Sequence, residues 1–254
     1  MDKLIEKLET LINKDDKDEI QKMLLKIGSE LLTKYEIRVD NIIIEPLRVE
    51  PYLFIPNVFE DKFIHSENGE YGPHQRNRFG KLYIHKGFSG VDIVLSNKDE
   101  YAFSFLIKNS RILIDNEVAY PFLKQYGVAK ILKEHGIQNN YDDVVLYKKE
   151  SAKDTIVFRT VRKGLKIAER KGFDKPKQEY YSKLVISSLI ELEECSSSQY
   201  DFETGYGKLW TIANYLYDHS EKNNAEWIHQ VLGYNGFNEI NKYLSEIIKE
   251  REVN

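Results

Sequence analysis

Residues 47–54 read Leu47-Arg48-Val49-Glu50-Pro51-Tyr52-Leu53-Phe54, the alternation of a half-buried β-strand. Period two puts Leu47, Val49 and Leu53 on one face and Arg48, Glu50 and Tyr52 on the other, so a carboxylate and a phenol project side by side. Pro51 cannot donate to a ladder, and the strand is expected to lie at a sheet edge or to leave the sheet there. Working outward, further β-type runs occupy 41–44, 81–86, 91–95, 101–107, 111–114, 144–147 and 155–161. Turn signals at Glu67-Asn68-Gly69, Ser96-Asn97-Lys98-Asp99 and Asp115-Asn116 separate them. One short helix is expected over 128–135, closed by Gly136. The centre of the chain is therefore mixed and dominated by antiparallel strands.

Helical spacing brackets this centre. Leu4, Ile5, Leu8, Leu11 and Ile12 form one apolar stripe, and after Asp15-Asp16 a second helix is expected to run to about Tyr35 with Ile20, Met23, Leu24, Ile27, Leu31 and Leu32 inward. From Tyr206 onward, Leu209, Ile212, Ala213 and Leu216, then Trp227, Ile228, Val231 and Leu232, then Ile240, Tyr243, Leu244, Ile247 and Ile248 predict a helical tail. No internal repeat or low-complexity segment is present. The organisation expected is a hairpin at 1–38, a core at 39–192 and an acidic helical subdomain at 193–254.

With 254 residues, 41% hydrophobic and 31% charged, the chain can bury one substantial core. Every apolar run is cut by charge well short of the roughly 18 residues that a membrane helix needs. The start, MDKLIEKLET, carries acids where a signal peptide would be basic and then apolar, so neither membrane insertion nor export is expected. A single cysteine, Cys195, excludes an intramolecular disulfide framework and a multi-cysteine zinc site, and it fits a reducing, cytoplasmic setting.

The net charge of −4 argues globally against a nucleic-acid partner, but it averages unlike parts. Residues 1–36 hold 7 basic and 9 acidic side chains, 37–192 hold 25 and 21, and 193–254 hold 5 and 11. Within the basic middle, 148–183 carry 12 Lys or Arg against 5 acids, and Arg76, Arg78, Lys81 and Lys86 fall in 76–86 with no acid. Such runs are ordinarily solvated faces, and they become informative only beside a site.

Candidate chemistry lies between Arg48 and Asp92. In 81–86, Tyr83 and His85 fall on the face opposite Leu82 and Ile84, and Asp92 interrupts the apolar strand Gly90-Val91-Asp92-Ile93-Val94. A buried carboxylate needs a partner or marks a site. His65, His74 and His85 lack the i, i+4 spacing of a helical metal site, so no metal is expected. Neither a G-x-G-x-x-G nor a P-loop sequence can be read anywhere, which removes nucleotide chemistry of those two types.

Taken in order, Val49-Glu50-Pro51-Tyr52-Leu53, Glu60-Asp61-Lys62-Phe63-Ile64-His65-Ser66, Arg76-Asn77-Arg78 and Gly80-Lys81-Leu82-Tyr83-Ile84-His85 resemble the active-site half of the alkyladenine (3-methyladenine) DNA glycosylase family. That family has an E-A-Y strand, an acid-rich stretch ending in His-Ser, an R-N-R-like turn and a G-x-L-Y-V-Y strand. Phe105-Leu106-Ile107-Lys108 is similar to its L-L-R strand, Gly127-Val128-Ala129-Lys130-Ile131-Leu132 to its G-P-x-K-L helix and Arg162-Lys163-Gly164-Leu165 to its R-x-G-I segment. Tyr180-Tyr181-Ser182-Lys183 is similar to its closing R-F strand. The resemblance covers about 41–192 and leaves both helical attachments outside.

The resemblance implies a base-flipping hydrolase that needs no cofactor. Such an enzyme requires aromatic faces for the extruded base, a basic rim for phosphates and a general base for water. By resemblance Glu50 activates the water that attacks C1′, and Tyr52 and His65 are faces of the base pocket. Lys108 stands where the family has an arginine. His85 replaces a third stacking tyrosine, the hairpin at 86–90 is short and leaves Phe88 as its only aromatic, and Asp92 falls where the family has an asparagine. An acid there is expected to stabilise positive charge on the sugar or to accept from an exocyclic amine.

The expectation is thus an α+β fold, with a mainly antiparallel, partly closed barrel-like sheet, an N-terminal helical hairpin and a C-terminal helical subdomain. The expected activity is monofunctional DNA glycosylase, with Glu50 and Asp92 catalytic. Tyr52, His65, His85 and Lys108 are expected to bind the base, and Arg76, Arg78, Lys81, Lys86, Phe88 and Lys163 to bind DNA. Two alternatives are a catalytically silent nucleic-acid-binding module on the same fold and a protein that engages a protein partner through its C-terminal helices.

Overall fold

In a computed structural model, residues 2–61, 64, 76–85, 87, 90–137 and 143–150 are described, together with the backbone of 157–161 and 184–188. The expected tail helices and Cys195 lie outside the described residues.

Helix α1 (Asp2–Ile12) and helix α2 (Lys17–Lys34) form the expected hairpin. Asp16 caps α2 by accepting from the Glu19 backbone N–H at 2.8 Å, which satisfies one of the helix's orphan donors. The apolar stripes hold Leu4, Leu8 and Leu11 on α1 and Ile20, Leu24, Ile27, Leu31 and Leu32 on α2, all in the main hydrophobic cluster with the sheet. A Lys7–Glu30 ion pair ties the helices together.

The strands follow as β1 (Tyr35–Val39), β2 (Ile42–Ile55), β3 (Phe59–Glu60), β4 (Leu82–Ile84), β5 (Val91–Val94), β6 (Ala102–Ile114) and β7 (Glu117–Lys124). Helix α3 (Gln125–Glu134) comes next, then β8 (Leu146–Lys148), β9 (Val157–Val161) and β10 (Leu184–Ser188). All pairings are antiparallel, and the spatial order β4-β5-β6-β2-β1-β8 has β7 added to β6, β3 and β10 to β2, and β9 to β10. The sheet curls into an antiparallel half-barrel, so the protein is α+β as expected. Among the described residues no helix is long and apolar enough to cross a membrane.

The runs at 41–44 and 47–54 are one strand, and so are those at 101–107 and 111–114. Each long strand carries one extra residue, Leu47 on β2 and Lys108 on β6, and the ladder steps past both. The bulges reconcile two phases. Ile42 and Ile44 reach the main cluster from even positions, whereas Val49 and Leu53 reach it from odd ones. Leu47, expected on the Val49 face, sits at the bulge, buried but outside that cluster.

Pro51 does not mark a sheet edge or an exit. It lies inside β2 opposite Phe105, and β2 has β6 along one side. On the other side β10 pairs at Arg48 and Val49 and β3 at Phe54 and Ile55. The missing N–H thus falls in the interval between those two short partners. Strands β1, β3, β7 and β10 lie outside the expected runs: the alternating run of β1 abuts the end of α2, β7 is largely exposed and shows no burial alternation, and β10 begins just past the closing strand expected at 180–183. Helix α3 starts three residues earlier than expected, and Gly136 closes it with φ +78°. Gly136 N–H donates to Lys133 and Ile137 N–H to Leu132, the two bonds of a Schellman cap.

Candidate active site

One row of paired residues crosses four strands: Glu50 on β2, Leu106 on β6, Asp92 on β5 and Tyr83 on β4. Residues directly opposite one another share a face. Tyr52 and Ser104 form the next row on that face, and Phe54 and Ala102 the one after. Tyr52, Phe54, Ala102 and Leu106 join Ile64 in a second apolar cluster, separate from the main core. The opposite face is entirely core, with Val49, Leu53, Phe103, Phe105, Ile93, Val91, Leu82 and Ile84. Antiparallel alternation therefore sorts the chemistry from the core.

The two acids of the row are held differently. Glu50, 1% exposed, accepts a hydrogen bond from the Tyr52 hydroxyl at 3.0 Å, and its other oxygen lies 3.7 Å from Lys108 Nζ. Asp92, 2% exposed, accepts from Ser104 Oγ at 3.2 Å through one oxygen and meets His85 Nε2 at 3.1 Å through the other. The strand spacing of about 4.8 Å sets the Glu50 and Asp92 Cα atoms about 10 Å apart, with Leu106 between. Buried charges with specific partners are costly to maintain and cluster at functional sites.

His85 follows β4 and is half-buried, and its ring meets that of Tyr83 at a centroid distance of 5.0 Å, tilted 56°. Gly90 makes room for it, since a Cβ there would stand 3.3 Å from His85 Cδ2 and 3.1 Å from Leu106 Cδ1. Burial works to lower the His85 pKa, but the charge of Asp92 and the hydrogen bond to it outweigh burial and hold it above the ordinary histidine value. The sign of the linkage follows. The stabilising contribution is fully present below the unfolded pKa of about 6.5 and is lost as pH rises through the higher folded value. Urea unfolding between about pH 5.5 and 8.5 is expected to show this decline, with His85→Gln removing it. An unchanged slope in the variant would assign the decline to other groups.

The structure therefore brings Glu50, Tyr52, His85, Asp92 and Lys108 to one face. Arg76 borders it: its guanidinium lies 6.0 Å from the Phe54 ring centroid and donates to the Asp99 carbonyl at 2.7 Å. Arg78 and Lys81 are half-buried in the segment entering β4, where Arg78 N–H donates to the Ser96 carbonyl and Lys81 N–H to that of Arg78. His65, Lys86, Phe88 and Lys163 lie outside the described residues. Ser104 and Gln125 were not anticipated. A lone serine between Phe103 and Phe105, paired in phase with an acid-bearing strand, was a readable signal, whereas nothing in the sequence around Gln125 pointed to this site. Among the described residues no group of three or more His, Cys, Asp or Glu side chains could hold a metal ion.

The arrangement can orient water at Glu50 and hold or move a proton at His85. No protein-family model matches this chain, and no curated protein matches it.

Proposed function

We propose that this chain is a monofunctional DNA glycosylase that hydrolyses the N-glycosidic bond of a flipped-out modified base, with water as nucleophile and Glu50 as its base. The observation that carries the reading is the shared row of Glu50 and Asp92, two buried carboxylates on one face with aromatic side chains around them. Hydrolysis at C1′ passes through an oxocarbenium-like state, which a carboxylate on the attacking side both stabilises and supplies with an activated water. Tyr52, Tyr83 and His85 are the aromatic rings beside the two carboxylates, the residue types on which an extruded base stacks. Lys108, paired with Glu50, adds positive charge beside the base site, and Arg76 adds it at the border for phosphate. The ordered sequence resemblance over 41–192 supports the same reading.

The test is incubation of the full chain with duplex and single-stranded oligonucleotides carrying single modified bases, followed by alkaline cleavage of abasic sites. Strand breaks that depend on the modified base are expected. Binding measured over a salt series should weaken by about 0.9 log units per log unit of salt for each phosphate neutralised. Charge reversal at Arg76 and Arg78 should flatten that slope by roughly one or two contacts. Absence of affinity at low salt would remove nucleic acid from the account.

A further inference from the structure

We propose that β7 is the contact through which two copies of this chain pair, edge to edge and antiparallel. The inference is independent of the glycosylase reading. Strand β2 runs along one side of β6 over 102–114, so β5 and β7 share the other side, β5 at 104–106 and β7 at 109–114. Among the described residues no strand lies beyond β7. Its outer row of backbone N–H and C=O groups is therefore a template for another strand.

The side chains point to the same edge. Val118 and Tyr120 are 54% and 38% exposed, and Tyr126, two residues past the strand, is exposed as well. Among the described residues the other exposed large apolar side chains are Val144 and Tyr147, in and beside β8, which is three residues long. Free edges are ordinarily guarded by charge, bulges or proline. In β7 the charges stand only at the first and last positions, with Val-Ala-Tyr-Pro-Phe-Leu between them, and Pro121 removes a single donor.

Charge selects the occupant. Glu117 opens β7 and Lys124 closes it, both are exposed, and neither has an ion-pair partner among the described residues. An antiparallel copy brings Glu117 of each chain to the end where the partner's Lys124 lies, so unlike charges meet twice. A parallel copy would set like beside like. A two-fold axis near Tyr120 and Pro121 produces the antiparallel arrangement and makes the edge self-complementary. Val118 and Tyr120, open to solvent in the single chain, lie along this contact. The pairing also closes, because each copy spends its one such edge and growth stops at the dimer. Eight residues of strand make a small interface, so the dimer is a reversible one.

The test is sedimentation velocity of the full chain over about 1–200 μM at low salt, with hydrogen exchange read at the two extremes. The mass is expected to rise from monomer toward dimer, and the amides of Val118, Ala119 and Tyr120 to gain protection as it does. Lys124→Glu should weaken pairing roughly tenfold, and Glu117→Lys likewise, because each sets like charges together at both ends. Both positions are exposed, so the fold tolerates the changes. Combining Glu117→Lys with Lys124→Glu restores unlike charges and should return the dissociation constant to within about threefold of the parent. A monomer at every concentration would overturn the proposal, and protected β7 amides in that monomer would make a segment of the same chain the occupant. A dimer indifferent to both single substitutions would lie on another surface. A dimer that the combined variant fails to restore would not be antiparallel through β7, and either result overturns the pairing.

Discussion

Glu50→Gln is expected to lower base excision by roughly 10²–10⁴-fold while leaving oligonucleotide binding largely in place. Glutamine keeps the shape of the side chain, and its carbonyl oxygen can still accept from the Tyr52 hydroxyl, now 3.0 Å from the carboxylate. What it loses is the ability to take a proton from water. The competing chemistry is visible in the same geometry, because Lys108 Nζ lies 3.7 Å from Glu50 and a lysine amine could attack C1′ itself. Single-turnover kinetics and borohydride trapping separate the two. A trapped protein–DNA adduct that disappears in Lys108→Met would replace Glu50-activated water with a Schiff base. A Glu50→Gln enzyme of undiminished rate would remove Glu50 from catalysis altogether.

Phe105→Ala is expected to destabilise the fold by about 3–5 kcal/mol, the range for emptying a buried aromatic site. Phe105 is fully buried, sits between Pro51 and Ile93 in the ladder, and packs its ring 5.3 Å from that of Phe103. Its sequence neighbours Ser104 and Leu106 face the other way, into the candidate site. The cavity would therefore open directly beneath the row that carries Glu50 and Asp92. At about 2–4 °C per kcal/mol for a chain of this size, the melting temperature should fall by roughly 6–20 °C. A loss below about 1 kcal/mol in urea unfolding would show that Phe105 is not enclosed as described.

Much of this architecture was legible because burial and periodicity coincide. The stripes of α1 and α2, the strands around Glu50 and Asp92, and the Asp115-Asn116 turn were all readable. In that turn both residues adopt positive φ, 53° and 67°, and join β6 to β7. What escaped was set by partners distant in sequence. Pro51 reads locally as a strand end, yet its place between β10 and β3 makes it harmless inside a long strand. Exposed β7 carries no burial alternation to read. At the site, Glu50, Tyr52 and Asp92 announced themselves as polar groups in apolar alternation. Gln125 could not, because its approach to Gly90 depends on how α3 packs against β5 and β6.

Leu47 and Lys108 behave as a frameshift and its suppressor. A β2 of unbroken alternation from Ile42 would carry Arg48, Glu50 and Tyr52 on the side of Ile44, in hydrocarbon. One supernumerary residue on β2 restores their outlook, and one on β6 lets the partner keep step. Loss of Leu47 alone would leave Lys108 as an extra residue on β6 with nothing on β2 to match it. Loss of both would bring the strands back into step with every side unchanged. Chain length here is therefore inherited in couples, and the sidedness of the site is a matter of counting before it is a matter of residue identity.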